Sequence, residues 1–429
     1  MYKYNIETLK NGLKIIRIPN KETNLLLLQI QMKLGHDLET RSILESGHFI
    51  EHLFSMFTSS KYPDGKENRE VMALKNINLD AEIQYKNIKF VLEFEKKHID
   101  YVIDLVTNAL LYFKVDKSMF KQEQNAVIEE LNAIIKDADY EFETKINKLL
   151  FKNHQRSYSE KIRLNNTKKI TPLDIQKYYT KYFTSKNYVI GIFGDIDNKD
   201  YNGLKKNMNK LQNKVSHKYN DYSLSIREPI IFHNNKEKVS NLKLIFNINS
   251  LFFEKEYYSI RGLIEILTGD LNSLLLKVLR NEKGLVYYCS GDYELDVYNK
   301  QLSLVTITTL CNTNNLLKVI EYIIEVLNYI KTEYIQEKYI NTYKSLIKIQ
   351  KQKDIFSKNP NDILSNYCTN LLWNYPIISF NNEYKNLGNI NKELLKKQAN
   401  KIFKKSNLIV CYDGNKHMNK KILDITSKL

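Results

Sequence analysis

Two stretches of this chain, residues 182–195 and residues 402–415, are written to one pattern. Phe183, Asn187 and Gly194 meet Phe403, Asn407 and Gly414 at a constant offset. Each stretch reads as the end of a helix, a turn at Asn, a buried strand and a glycine turn. A second pair lies at the two starts, where Asn24 to Met32 and Asn241 to Asn249 are both Asn followed by an apolar, strand-like run. The repeat constrains the fold more than any other feature: the chain is built twice from one plan. At 429 residues it is long enough for two units with a core each. The expected class is α+β, with two homologous domains, each an antiparallel-rich sheet packed on long helices. The expected domains are 1–218 and 219–429, parted in the polar stretch 213–228, which holds Ser216, Asn220 and Ser223. Apolar positions recurring at three and four predict long helices over Ile99 to Phe113 and Ser118 to Phe151. Scarce Gly and Pro agree with uninterrupted helices.

One motif carries chemistry. His48-Phe49-Ile50-Glu51-His52 reads H-x-x-E-H. On a helix, residues four apart share a face, so His48 and His52 can hold one ion together, and Glu51 leans toward the same place. Two neutral imidazoles suit zinc, and a neighbouring carboxylate suits a base acting on water at that zinc. The pattern is the inverted form of the zinc-peptidase motif. The second half carries no such motif; around Leu263 to Asp270 it has no histidine. A hydrolytic zinc takes a third protein ligand. The segment Glu123 to Leu131 offers candidates: Glu123 and Glu130 stand two helical turns apart on one face, and Glu129 is rotated away by about 100°. Either member of the pair Glu129 and Glu130 can point at the ion, with the other in solvent.

Composition removes several alternatives. The formal net charge is +16, but the lysines are scattered among Asn, Ile and Tyr rather than gathered in a stripe, and no aromatic-basic motif accompanies them. A nucleic-acid partner is therefore not expected. The longest apolar runs, such as Leu25 to Leu28, are far too short to cross a bilayer. Cys289, Cys311, Cys368 and Cys411 are widely spaced, without C-x-x-C, as free thiols in a reducing compartment would be. The first residues show neither an apolar signal core nor an Arg-rich presequence, so a cytoplasmic protein without a membrane partner is expected.

Taken together, these segments resemble the pitrilysin/insulinase-type zinc metallopeptidases, especially half-length members of the mitochondrial-processing and bacterial kind. The resemblance begins at Thr8 to Lys14 (T-L-K-N-G-L-K) and continues through Gly47 to Phe54. It includes Asp80-Ala81, where relatives commonly have Asn-Ala, and the E-x-N-A-V-x-x-E-L run from Glu123 to Leu131. In the second half, Leu267 to Ser273 resembles a family turn, and Arg280 to Tyr287 its R-x-x-x-G-L-x-Y motif. Two places depart. Ser55 to Ser60 is not the usual F-K-G-T run, and Asn78 to Ala81 lacks the usual glycine, so the substrate-facing loops are this chain's own.

The resemblance implies one Zn²⁺ per chain on His48, His52 and Glu130, with Glu129 as second choice for the third ligand. It implies Glu51 as general base, Glu123 as an auxiliary acid supporting the metal or a peptide amide, and Arg280 and Tyr287 as substrate-side residues brought by the second domain. It further implies a fold forming half of a clamshell, with peptide bound as an added strand along Asp80 to Phe94. The implied partner is a second copy or a paralogous subunit, closing a chamber in which short or unfolded peptides are cleaved. The rival within the same family is a catalytically silent or partner-dependent scaffold subunit.

Overall fold

Runs of β-branched and other large apolar residues set the strands. A computed structural model describes the chain except residues 1–2, 215–218, 220–221, 225–228, 235–237, 253, 270–271 and 358, and the side chains of 234, 356 and 357. The boundary expected after residue 218, with Ser216 and Asn220, and part of the turn at 267–273 lie outside the described residues. The first half holds β1 (Asn5–Thr8), β2 (Lys14–Pro19), β3 (Leu25–Met32), α1 (Ser46–Phe54), α2 (Gly65–Leu74), β4 (Asn78–Ile83) and β5 (Ile88–Glu95). Then follow α3 (Ile99–Tyr112), α4 (Lys117–Ile135), α5 (Tyr140–Leu150), α6 (Glu160–Thr167), α7 (Pro172–Tyr182), β6 (Tyr188–Gly194) and α8 (Asn198–Met208). The second half holds β7 (Ile230–Asn234), β8 (Val239–Asn247), α9 (Glu256–Thr268), α10 (Leu274–Leu276), β9 (Val286–Glu294), β10 (Leu304–Asn312) and α11 (Leu316–Thr332). It ends with α12 (Glu337–Ser357), α13 (Pro360–Leu372), α14 (Phe380–Gly388), α15 (Lys392–Ile402), β11 (Leu408–Gly414) and α16 (Asn419–Thr426).

The two sheets repeat one another. The first runs β1-β2-β6-β3-β5-β4 and the second β7-β11-β8-β10-β9. In each, one parallel pair (β2 with β6, β7 with β11) is followed by antiparallel pairs only. Thus β6 and β11, the strands of the repeated pattern, occupy matching places, as do β3 and β8. The α+β expectation holds, with two like sheets packed on helices.

The helix expected over Ser118 to Phe151 is two helices. Lys136 closes α4, and Asp139 precedes the first turn of α5. Their destinations differ as well. The chain forms two compact units: Met1–Asp137, Tyr158–Asn220 and Lys358–Ile377 make one, and Ala138–Ser157, Asp221–Ser357 and Ile378–Leu429 the other. Each half lends the other a helix. The apolar stripe Phe142, Ile146 and Leu150 of α5 packs with Ile231, Ile245, Leu304 and Ile409 of the second sheet. In return α13 lies on β6 and β3 of the first. Buried Gln29 donates to Ser365 Oγ (2.6 Å), Gln31 to the Ser365 carbonyl (3.1 Å), and Thr369 Oγ1 to Gln31 Oε1 (3.0 Å).

Gly191 of β6 is what lets α13 approach. A Cβ there would strike Cys368 Sγ and lie 2.7 Å from Leu364 Cδ1. Valine is intrinsically better than glycine in a strand, so Gly191→Val sets propensity against sterics. Overpacking costs about 1–3 kcal/mol and outweighs propensity here: the variant should unfold several degrees below the parent in a thermal melt. An unchanged or higher midpoint would mean that α13 does not press on this strand.

The four cysteines are free and buried, and burial pushes the Cys311 thiol up to about 11 and the Cys289 thiol up to about 12. No helix among the described residues is long and apolar enough to cross a membrane.

Candidate metal centre

Helix α1 is short and two-faced. Phe49, Ile50, Leu53 and Phe54 are buried, while His48, Glu51 and His52 are half-buried on the opposite side. Gly47 lets the helix start close to β4: a Cβ there would lie 2.8 Å from Ile83 Cδ1 and 3.2 Å from Glu39 Oε1. Phe49 stacks on Phe120 of α4, with ring centroids 5.2 Å apart and planes 11° from parallel. That stack sets α4 beside α1. Glu123 is one helical turn beyond Phe120, buried Val127 another, and Glu130 follows on the same face.

The geometry then converges. His48 Nε2 and His52 Nε2 are 3.2 Å apart. His48 Nε2 is 3.0 Å from Glu130 Oε2, and His52 Nε2 is 3.7 Å from Glu130 Oε1. Glu51 Oε2 lies 3.5 Å from His52 Nε2. Of the two carboxylates left open by spacing, both exposed, Glu130 is the one that meets the histidines.

Both imidazoles are held from behind. His52 Nδ1 donates to Glu123 Oε2 (2.9 Å), and Arg69 donates to Glu123 Oε1 (3.1 Å). His48 Nδ1 donates to Glu45 Oε2 (2.9 Å), and Arg163 donates to Glu45 Oε1 (2.6 Å). An ionised carboxylate only accepts, so each Nδ1 carries a proton, and each Nε2 faces the shared point. Two imidazole nitrogens and a carboxylate gathered at one point call for a positive charge among them, a proton or a metal ion. Electrostatics agree. Burial alone would lower His48, but the hydrogen bonds to Glu130 and Glu45 outweigh it and raise its pKa to about 10. The His48 hydrogen bond, against an opposing effect of burial, holds the Glu130 carboxyl below its ordinary range. Burial would raise Glu123, yet His52 and Arg69 hold it low. Glu51 moves the other way: burial raises its carboxyl, with His52 and His48 pulling against it.

These positions fit a metal ion. Donors about 2.0–2.1 Å from a tetrahedral zinc stand about 3.3 Å apart; the two Nε2 atoms are 3.2 Å apart, and the Glu130 oxygens lie 3.0 Å (Oε2 to His48) and 3.7 Å (Oε1 to His52) from them. The carboxylate behind each ring is the arrangement that fixes tautomer and orientation in metal-binding histidines.

Glu123 was expected to support the metal or hold a peptide amide; its two oxygens accept from His52 and Arg69. Arg280 and Tyr287 lie together on the second unit. Arg280, in a π-helical turn (Lys277–Glu282), sits 4.9 Å over the ring of Tyr287, which is 78% exposed. The segment 80–94 is a hairpin, β4 and β5, rather than one strand, and among the described residues β4 pairs only with β5, at the sheet edge.

Sequence reasoning missed Glu39, Glu45, Arg69 and Arg163. Glu45 stood within reach, three residues before His48 at helical spacing. Arg163 left no signal, 118 residues away from its partner. Glu45 also adopts a left-handed backbone, with φ 76° and ψ 1°, at the N-cap of α1. That conformation costs roughly 1–2 kcal/mol for a residue with a Cβ. The turn is held by Glu39, whose Oε2 accepts from Glu45 N–H (3.1 Å) and whose Oε1 accepts from Gly47 N–H (2.8 Å). His36, Glu39 and Glu45 form a second cluster of potential ligands, but Arg163 Nη1 already reaches both carboxylates, at 2.6 Å (Glu45) and 3.5 Å (Glu39).

Fold and site together define a class. Residues 15–167 match the family profile Insulinase (Peptidase family M16), and residues 169–347 match Peptidase M16 inactive domain. The chain belongs to the M16 peptidase family. It is 22% identical over 346 residues to the "Uncharacterized zinc protease YmxG" of Bacillus subtilis, covering 80% of this chain and 82% of that protein. It is 24% identical over 193 residues to the beta subunit of mitochondrial-processing peptidase of Saccharomyces cerevisiae, covering 44% of this chain and 40% of that one. In fold it is similar to a protease from Helicobacter pylori (TM-score 0.79, 17% identity, 97% of this chain and 100% of that one). It is similar likewise to the periplasmic protease PqqL of Escherichia coli (TM-score 0.79, 16% identity), covering 99% of this chain but 50% of PqqL.

Proposed function

We propose that this chain is a zinc-dependent endopeptidase, and the observation that carries the reading is the convergence of His48, His52 and Glu130. His48 and His52 through Nε2, and Glu130 through its carboxylate, would hold one Zn²⁺. Bound there, zinc would supply Lewis acidity that polarises a peptide carbonyl and brings a water's pKa to about 7. Glu51 takes the proton from the attacking water and returns it to the leaving amine. Burial supports that role, because it raises the Glu51 carboxyl toward the range where a base both accepts and releases a proton. Glu123 and Glu45 keep both rings in the tautomer that leaves Nε2 free.

The edge strand β4 offers unpaired backbone groups, and peptide adds to it as a further strand, so that affinity comes from main-chain hydrogen bonds and tolerates many sequences. Arg280 and Tyr287 present donors for the developing oxyanion or for substrate carbonyls. In this reading the chain is one half of a clamshell and works as a cytoplasmic dimer, with a second copy or a paralogue, closing on short or unfolded peptides. Two relatives support pairing: PqqL is about twice the length matched here, and the yeast protein is one subunit of a peptidase.

Two measurements test the centre. Zinc per chain, read after dialysis against a weak chelator, should fall further for Glu130→Gln than for Glu129→Gln. The reverse order would move the third ligand to Glu129. Cleavage of a quenched peptide should cease on chelation and return with zinc. Zinc bound without cleavage would favour the partner-dependent scaffold, and cleavage restored by a second subunit would identify the heteromer.

A further inference from the structure

We propose that Glu45 is a positioning residue for the metal centre, kept in a strained backbone so that its carboxylate can grip His48. This rests on the zinc reading above. The conformation at Glu45, φ 76°, is one that glycine adopts freely and a side chain resists. A residue of no consequence would be glycine here. Instead the position carries a long acid that is 2% exposed, with both oxygens committed: Oε2 to His48 Nδ1 and Oε1 to Arg163. The strained turn has its own fastener in Glu39, which accepts from the backbone of Glu45 and Gly47, and Arg163 Nη1 reaches Glu39 Oε2 as well.

The two histidine supports are unequal. Behind His52, one carboxylate (Glu123) faces one guanidinium (Arg69) whose side chain is 40% exposed. Behind His48, two carboxylates (Glu39 and Glu45) share Arg163, and all three side chains are buried, at 0%, 2% and 7% exposure. These charges are screened little by solvent. His36 Nδ1, 3.3 Å from Glu39 Oε2, is a further group facing the cluster. The His48 support is therefore the more buried of the two, and it fixes the ring from behind.

The test uses the full chain and zinc itself. Zinc affinity is measured by competition with a fluorescent chelator, well below the unfolding temperature, and the zinc-stripped proteins are melted separately. Glu45→Gln should bind zinc roughly 10–100-fold more weakly than the parent. Arg163→Gln should weaken zinc in the parent but add little in the Glu45→Gln background, since it acts through Glu45. Should Glu45→Gln fail to fold, the variant Glu45→Gly relaxes the turn and leaves Arg163 paired with Glu39. Stripped of zinc, it should melt no lower than the parent, and it should still bind zinc more weakly. A merely structural role would lower the melts and leave zinc affinity within about twofold in every variant that folds; that result overturns the inference. A parent that takes no zinc overturns the zinc reading, and this inference with it. A parent that binds zinc tightly, alongside an equally tight Glu45→Gln, sinks the inference alone.

Discussion

Glu51→Gln will lower peptide cleavage by roughly 10²–10⁴-fold, the usual worth of a placed general base, while zinc content stays at the parental level. The separation follows from geometry. Glu51 approaches His52 Nε2 at 3.5 Å, but the donors that converge are His48, His52 and Glu130, and each ring has its own support in Glu45 or Glu123. Glutamine keeps the shape of Glu51 and a place on the half-buried face of α1. What it loses is the ability to take a proton from water. Metal analysis of the purified variant, beside turnover of a quenched peptide, checks both halves. Parental turnover would remove Glu51 from the role of base, and loss of zinc would make it a ligand.

Phe120→Ala is the second large effect. The ring is buried and stacked on Phe49, and truncating such a side chain costs about 3–5 kcal/mol. The loss reaches the metal because α4 carries both Glu123 and Glu130, and the Phe49–Phe120 stack sets that helix against α1. The variant should show a lower first transition on thermal unfolding and reduced zinc retention, although no ligand has been touched. Phe120→Leu restores much of the volume and should recover both together. If stability fell while zinc affinity held, α4 would be placed by something other than this stack.

The sequence made one part of this site legible and hid another for physical reasons. His48, Glu51 and His52 lie within one and a half turns of helix, so spacing alone put them on one face. Glu123 and Glu130 shared a face two turns apart for the same reason, and the resemblance favoured Glu130 where periodicity left two neighbours open. The supports were harder. Arg163 and Arg69 reach their carboxylates from α6 and α2, and no local period joins residues so far apart in the chain. The repeat in the sequence foretold matching places for β6 and β11, because both are buried strands after an Asn turn. It did not foretell which sheet α5 and α13 would cover. An apolar stripe such as Phe142, Ile146 and Leu150 specifies that a helix needs a partner, not which partner. The break at Lys136 to Asp139 carries no Pro or Gly, so the periodicity ran straight through it. Nor does the strand-like run announce that its Gln29 and Gln31 are buried beneath α13.

The exchange of α5 and α13 bears on how the molecule is made. The unit that carries His48, His52 and Glu130 is not complete until Lys358–Ile377 has been synthesised. Emerging from the ribosome, its sheet must wait with the bed of Gly191 uncovered, long after the metal ligands themselves have been translated. Such a nascent chain shows apolar surface from the completion of β6 until α13 is made and is a natural client for chaperones. A gene split between the halves would leave two fragments, each still missing the helix that the other encodes.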